Sequence, residues 1–251
     1  MKILVIGETC RDKFVYGDAI RLCPEAPVPV FRKKSVINIV GMAGNVKNNL
    51  TACAKDLEQQ IEVDIFTNIP RGYKTRYIDS TSNQMFLRVD SDSYQTINLK
   101  ELSEIEFNNY DAVVVSDYNK GFLNDDDLYY ISMRAKLSFL DTKKRYNAKW
   151  AKHFNFIKLN EKEYEENGFK ENEPSCLSNL IVTLGSRGCK FANTTYPLER
   201  VSQVRDVSGA GDTFLAAFSL YYTATKDIKL AIAYAQRCCN IVVSKAGTAT
   251  I

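Results

Sequence analysis

The chain has 251 residues, 45% of them hydrophobic and 11% aromatic, enough for one large buried core. Its 33 basic and 30 acidic residues leave a formal charge of +3 with no strongly basic block, so nucleic acid is not implied and small anionic substrates stay compatible. A single histidine, His153, excludes zinc sites and catalytic schemes built on several imidazoles, and its neighbours Trp150 and Phe154 favour a structural role for it.

The opening Lys2 to Gly7 is an apolar run too short for a signal peptide, with charged Glu8, Arg11 and Asp12 directly after it, so it reads as a first buried strand. Phe14 to Val40 carries Pro24, Pro27 and Pro29; prolines at alternate positions suit an extended edge strand because they lack N–H groups. Ala43 to Lys55 places Val46, Leu50 and Cys53 on one helical face. Arg76 to Leu99 is polar and β-rich around Met85 to Asp90. These two irregular segments, about 13–40 and 75–99, read as a small β-sheet projecting from the main body, with ordinary surface loop as the alternative.

Beyond them, Ala112 to Asp117, Leu137 to Thr142, Phe154 to Asn160 and Leu180 to Gly185 are further buried strands, and Asn124 to Lys136 and Leu230 to Ser244 are helical. Strand and helix alternate, which predicts an α/β fold with a mainly parallel sheet flanked by helices and ligands bound beyond the carboxyl ends of the strands. The seven cysteines form no Cys-x-x-Cys pair and read as reduced core thiols. No apolar run approaches the ~20 residues of a membrane helix, so a cytoplasmic protein without a membrane partner is expected.

Function is written most densely in Arg205 to Phe218, which places Gly209, Ala210, Gly211 and Asp212 where a loop becomes a helix. Phe214, Leu215, Phe218, Tyr221 and Tyr222 recur at helical spacing, so the glycines should sit at the helix N-terminus. Unpaired N–H groups and the helix dipole suit an anion there. A carboxylate beside that anion is electrostatically costly unless it accepts a proton from an attacking hydroxyl. The alternative is a tight turn followed by a helix-start acid. The dinucleotide fingerprint fails for want of a third glycine and a preceding strand, and no Gly-Lys pair exists for a Walker A loop.

Asp206-Val-Ser-Gly-Ala-Gly-Asp212 resembles the second signature of the ribokinase-like (PfkB) carbohydrate kinases, and Gly41-Met-Ala-Gly-Asn-Val46 resembles their first. Within that family the chain is most similar to the heptose-7-phosphate kinases of ADP-heptose synthesis. The proline-rich Arg21 to Val30 carries this likeness, together with Lys74-Thr-Arg76, Arg88-Val-Asp90, Ser116 to Gly121 and Lys245 to Thr248. Two positions depart from the pattern. Met42 stands where the family usually has a second glycine and Gly44 where it usually has alanine. The chain is also short between Ile61 and Lys74, as if a helix and a strand were missing.

The resemblance implies one ribokinase-like kinase domain over 1–251, a three-layer α/β/α body with a small β-sheet lid through which a homodimer forms, and no nucleotidyltransferase domain. It implies transfer of a phosphoryl group from ATP to a sugar hydroxyl, with O1 of D-glycero-D-manno-heptose 7-phosphate as the preferred acceptor. Asp212 would be the base and Gly209, Ala210 and Gly211 the anion hole. Asp12, Gly41, Asn45, Asp117 and Lys120 would meet the sugar, and Lys74, Arg76 and Arg88 its phosphate unless they are merely solvated lid charge. Lys143, Asn160, Glu163, Thr183, Gly185, Gly188, Asn240 and Gly247 would serve the nucleotide, with Glu163 reaching Mg2+ through water; a monovalent cation is a further possibility. Another sugar acceptor, or a non-catalytic sugar-phosphate or nucleotide sensor, keeps the same fold.

Overall fold

The computed structural model describes residues 1–69, 72–91, 99–169, 178–192, 194–198, 204–245 and 249–251. In chain order the strands and helices are β1 (Lys2–Gly7), β2 (Thr9–Asp18), β3 (Arg32–Met42), α1 (Ala43–Asp56), β4 (Glu62–Thr67), β5 (Tyr73–Asp79), β6 (Met85–Ser91) and α2 (Leu99–Ser103). They continue with β7 (Ala112–Asp117), α3 (Asp125–Arg134), β8 (Ser138–Thr142), α4 (Ala148–Ala151), β9 (Phe156–Asn160) and α5 (Glu161–Glu166). The last are β10 (Leu180–Thr183), β11 (Cys189–Phe191), β12 (Thr194–Tyr196), α6 (Ala210–Thr225) and α7 (Ile228–Val243).

The main sheet runs β12-β11-β10-β9-β8-β7-β1-β4. Its pairings are parallel from β4 to β10 and antiparallel through β11 and β12. Strands buried on both faces need apolar side chains at every position, and alternate residues then feed opposite cores. Ile3 and Val5 of β1, with Ala112 and Val114 of β7, join the core under α1, α6 and α7. Leu4, Ile6, Val113 and Val115 join the opposite core with Leu128 and Ile131 of α3 and Trp150 of α4. The result is a three-layer α/β/α body.

A second sheet, ordered β3-β2-β5-β6, leaves the end of β1 and returns into α1. β2 pairs parallel with β5, and the two outer pairs are antiparallel. Gly7 marks the departure, since a Cβ there would lie 1.9 Å from the Ser116 carbonyl oxygen.

One expectation is corrected. The prolines do not lie in an edge strand: residues 19–31 form an irregular excursion held by one antiparallel bridge, Leu22 to Pro29, and the edge strand is β3, which follows it. Proline can give no ladder N–H, so the regular pairing begins only beyond Pro29. The short segment between Ile61 and Lys74 contains β4, which closes the main sheet beside β1; residues 70–71 lie outside the described residues. The six cysteines among the described residues are all free thiols; Cys176 lies outside them. Among the described residues no helix is long and apolar enough to cross a membrane.

Candidate active site

The turn Val207-Ser208-Gly209 feeds α6 with Gly209 as its N-cap at φ 82, a left-handed conformation that glycine adopts without strain. Phe214, Leu215 and Phe218 bury one face of the helix, which fixes its first turn against the sheet. Asp212 lies in that turn and is only 4% exposed. One carboxylate oxygen accepts from Asn45 Nδ2 at 2.9 Å and the other from the Tyr118 hydroxyl at 2.8 Å. Burial raises its pKa to about 6, with nearby Asp141 adding to the rise, while the two hydrogen bonds and Lys158 hold it back. A carboxylate with that value is ionised at neutral pH yet basic enough to receive a proton from an alcohol.

On the small sheet, Asp12 is buried and paired with Arg76, whose guanidinium also lies over Phe14 with 5.0 Å to the ring centroid. A Cβ on Gly41 would stand 2.1 Å from Asp12 Oδ2, so glycine is required for this carboxylate to occupy its place. Lys74 sits over the Tyr118 ring at 4.9 Å, beside buried Cys10, whose pKa burial lifts to about 11 against the pull of Lys74. Arg88 forks onto Asp90 with bonds of 2.7 and 2.8 Å and stays 43% exposed. Register pairs Asp12 with Lys74, Lys74 with Asp90 and Arg76 with Arg88, which puts all five on one face of the sheet.

Several expected sugar contacts have other partners. Asn45 spends its amide on Asp212, and its carbonyl accepts from Asn49 Nδ2 at 3.1 Å. Asp117 is tied to the Thr142 hydroxyl at 2.6 Å and to the Asn119 N–H at 2.9 Å, and burial next to Glu8 raises its pKa to about 6. Lys120 is exposed, and its N–H donates to buried Glu8. These groups shape the loop after β7.

At the carboxyl ends of β8 and β9, Asn160 and Glu163 form a reciprocal capping box for α5, with bonds of 2.9 and 2.8 Å. The Lys143 ammonium pairs with Glu163 and stands 3.6 Å from Asp141 Oδ1. Burial pulls its pKa down, and the two carboxylates more than reverse this. Buried Asp141 and Lys158 form an ion pair at 2.7 Å beside the glycine turn. A cavity of about 220 Å³ opens next to Ala210 and Gly211, lined by Thr183, Gly185, Gly188 and Asn240 among polar and backbone groups and by Val204, Val207, Phe214 and Val243 on its apolar walls. Gly188, at φ 92, is held there because a Cβ would meet the Tyr196 carbonyl at 2.1 Å. Gly247 lies outside the described residues.

The structure thus links Asp212 to Asn45 and Tyr118, sets Lys74 and Lys143 over the Tyr118 ring, and gathers Asp12, Gly41, Arg76 and Arg88 on the small sheet. Two participants went unnoticed in the sequence. Tyr118 stood inside Ser116 to Gly121 without a separate signal, whereas Lys158 could have been flagged as a charge within an otherwise apolar strand; Asp141 was legible only as a residue at the carboxyl end of a strand, where ligands bind.

The three-layer body with its small second sheet is a ribokinase-like fold. Ribokinase from Thermotoga maritima superposes with a TM-score of 0.71 at 17% identity, covering 98% of this chain and 94% of that one. Arabidopsis thaliana ribokinase, solved with ribose and ATP, gives 0.69 at 17% identity, covering 98% and 93%. The family model described as pfkB family carbohydrate kinase matches residues 132–251 of this chain. Among curated proteins it is similar to the bifunctional protein HldE of Nitratiruptor sp., 31% identical over 99% of this chain and 63% of that protein. HldE of Helicobacter pylori strain J99 is 30% identical over 99% of this chain and 64% of that protein. The chain therefore spans less than two thirds of the length of these relatives.

Proposed function

We propose that the protein transfers a phosphoryl group from ATP to a hydroxyl of a phosphorylated sugar, with O1 of D-glycero-D-manno-heptose 7-phosphate as acceptor and heptose 1,7-bisphosphate as product. The observation that carries this reading is Asp212: buried, tuned to a pKa of about 6 and set in the first turn of a glycine-capped helix. The acceptor hydroxyl hydrogen-bonds to Asp212 and attacks the terminal phosphorus; its proton passes to the carboxylate, the new O–P bond forms and the bond to ADP breaks. The N–H groups of the Gly209 to Gly211 turn stabilise the charge on the phosphoryl oxygens. The adjoining cavity suits the nucleoside, with Asn240 and Thr183 as its polar contacts.

The residues fit a largely hydrated Mg2+, because Asp141 Oδ1 is buried with no hydrogen-bond partner and Glu163 is near. These two carboxylates would hold the ion through water, and it would neutralise phosphate charge. Asp12 orients the sugar, and Lys74 and Arg88 meet the acceptor's phosphate. Arg76 is buried in its pair with Asp12, whereas Arg88, though forked onto Asp90, stays 43% exposed, so only Lys74 and Arg88 are placed to reach that phosphate; this favours, as a second reading, a sugar acceptor with a differently placed phosphate. We further propose a cytoplasmic homodimer closed through the small sheet, whose Ile37, Val40, Leu87 and Val89 are exposed. Incubation with ATP, Mg2+ and a panel of sugars and sugar phosphates, followed by product analysis, tests the reaction. Turnover of no acceptor would leave only a binding protein.

A further inference from the structure

Lys158 has no role in the reading above, yet its placement is unusual. It lies on β9, which is otherwise apolar apart from terminal Asn160, and its side chain is 5% exposed. Among the described residues its ammonium makes one hydrogen bond, to Asp141 Oδ2 at 2.7 Å, so two of its three donors lack a protein acceptor. The ammonium points at the glycine turn: a Cβ built on Gly211 would stand 2.9 Å from Nζ. The N-terminal end of α6 is already electropositive, so a cation beside it is repelled by the helix dipole. Burying the pair also costs solvation that the ion pair alone seldom recovers. Asp141 offsets both effects in the absence of ligand, and its other oxygen, buried and without a hydrogen bond, lies 3.6 Å from Lys143. One carboxylate thus holds two lysines beside the turn.

We propose that Lys158 binds a phosphate oxygen of the nucleotide at the Gly209 to Gly211 turn, with Asp141 keeping the ammonium aimed there when the site is empty. An ion pair serving stability alone would need neither a glycine opposite the ammonium nor two unused donors inside the protein. The arriving phosphate supplies the missing acceptors and the negative charge that the helix end and the lysine both favour. This inference rests on the kinase reading but concerns binding, which can be measured without turnover.

The test is calorimetric titration of the full chain with ADP and with adenosine, in EDTA so that no metal contributes. Lys158→Met should weaken ADP roughly tenfold to a hundredfold and leave adenosine unchanged. That substitution leaves buried Asp141 with Lys143 alone, at 3.6 Å, so Lys158→Met combined with Asp141→Asn is measured beside it as a variant without that weakened pair. Selective loss of ADP in the folded double variant supports the proposal. Equal ADP binding by the wild type and the double variant, while the wild type phosphorylates a sugar, overturns it and leaves the kinase reading standing. A wild type that binds ADP no better than adenosine and transfers no phosphate overturns both.

Discussion

Replacing Asp212 with asparagine separates the two consequences of burying a carboxylate. Desolvation lifts its pKa from 3.8 to about 6, so between those values the unfolded chain loses its proton while the folded chain keeps it. Wild-type stability therefore falls as pH rises from about 4 to 6, by about two units at ~1.4 kcal/mol each, or roughly 3 kcal/mol, and stays level above. The amide of the Asp212→Asn variant does not titrate. It also offers one acceptor to two donors, Asn45 and Tyr118, which costs about 1 kcal/mol at every pH. The variant should thus be slightly less stable than the wild type near pH 4 and about 2 kcal/mol more stable at pH 7.5. Asp117 titrates in the same window for the same reason, but it is present in both proteins and cancels. Urea denaturation at four pH values reads the difference directly, and turnover measured alongside should fall ~10²–10⁴-fold with ADP binding little changed. A stability difference that is flat from pH 4 to 7.5 would refute the desolvation argument; near-normal turnover would refute the base.

Tyr118→Phe removes a hydrogen bond that stabilises the ionised base, so the acid limb of kcat/KM, near pH 6 in the wild type, should move to higher pH; an unmoved limb would detach Tyr118 from Asp212. Arg88→Ala should raise KM for a phosphorylated acceptor about tenfold and leave ATP unaffected, the half-exposed site limiting the effect. Unchanged KM would make Arg88 solvated lid charge. Arg76→Ala should instead destabilise the fold by roughly 3 kcal/mol in thermal or urea melts, because it leaves Asp12 buried and unpaired. Light scattering at micromolar concentration should give a dimer for the wild type and a monomer for Leu87→Glu with Val89→Glu, which places charge on one exposed face of β6; a monomeric wild type that is fully active contradicts the lid interface.

What the sequence revealed follows from how local each signal is. β1, β7, β8 and β9 were legible because strands covered on both faces demand unbroken apolar runs. β4 was not, since Glu-Val-Asp-Ile-Phe-Thr sits half-buried at the sheet edge, where acidic residues are tolerated, and β11 and β12 have only three residues each. Asp212 was legible because the glycine turn and the acid adjoin it in sequence. Its two partners were not, being 167 and 94 residues away in the chain. Asn160 and Glu163 illustrate the opposite hazard: the same spacing that resembles a nucleotide motif is also the N-cap and third position of a helix, and α5 uses it so.

The Gly41-Met42 pair shows how the same departure can be harmless at one position and prohibitive at its neighbour. Met42 adopts φ 60 and ψ −129, a conformation that disfavours any side chain by roughly 1–3 kcal/mol. Its side chain is 2% exposed, and burying a methionine returns about 1.5–3 kcal/mol, so the strain is offset in place. Gly41 has no such remedy. A Cβ there would stand 2.1 Å from Asp12 Oδ2 and 3.0 Å from Cys10 Sγ, displacing the carboxylate that Arg76 holds. Strain confined to one residue's backbone can be balanced by that residue's own packing, whereas intrusion on Asp12 disturbs a second residue and its ion pair with Arg76. The glycine is therefore needed at the position that abuts Asp12 and is dispensable at the one whose side chain is buried.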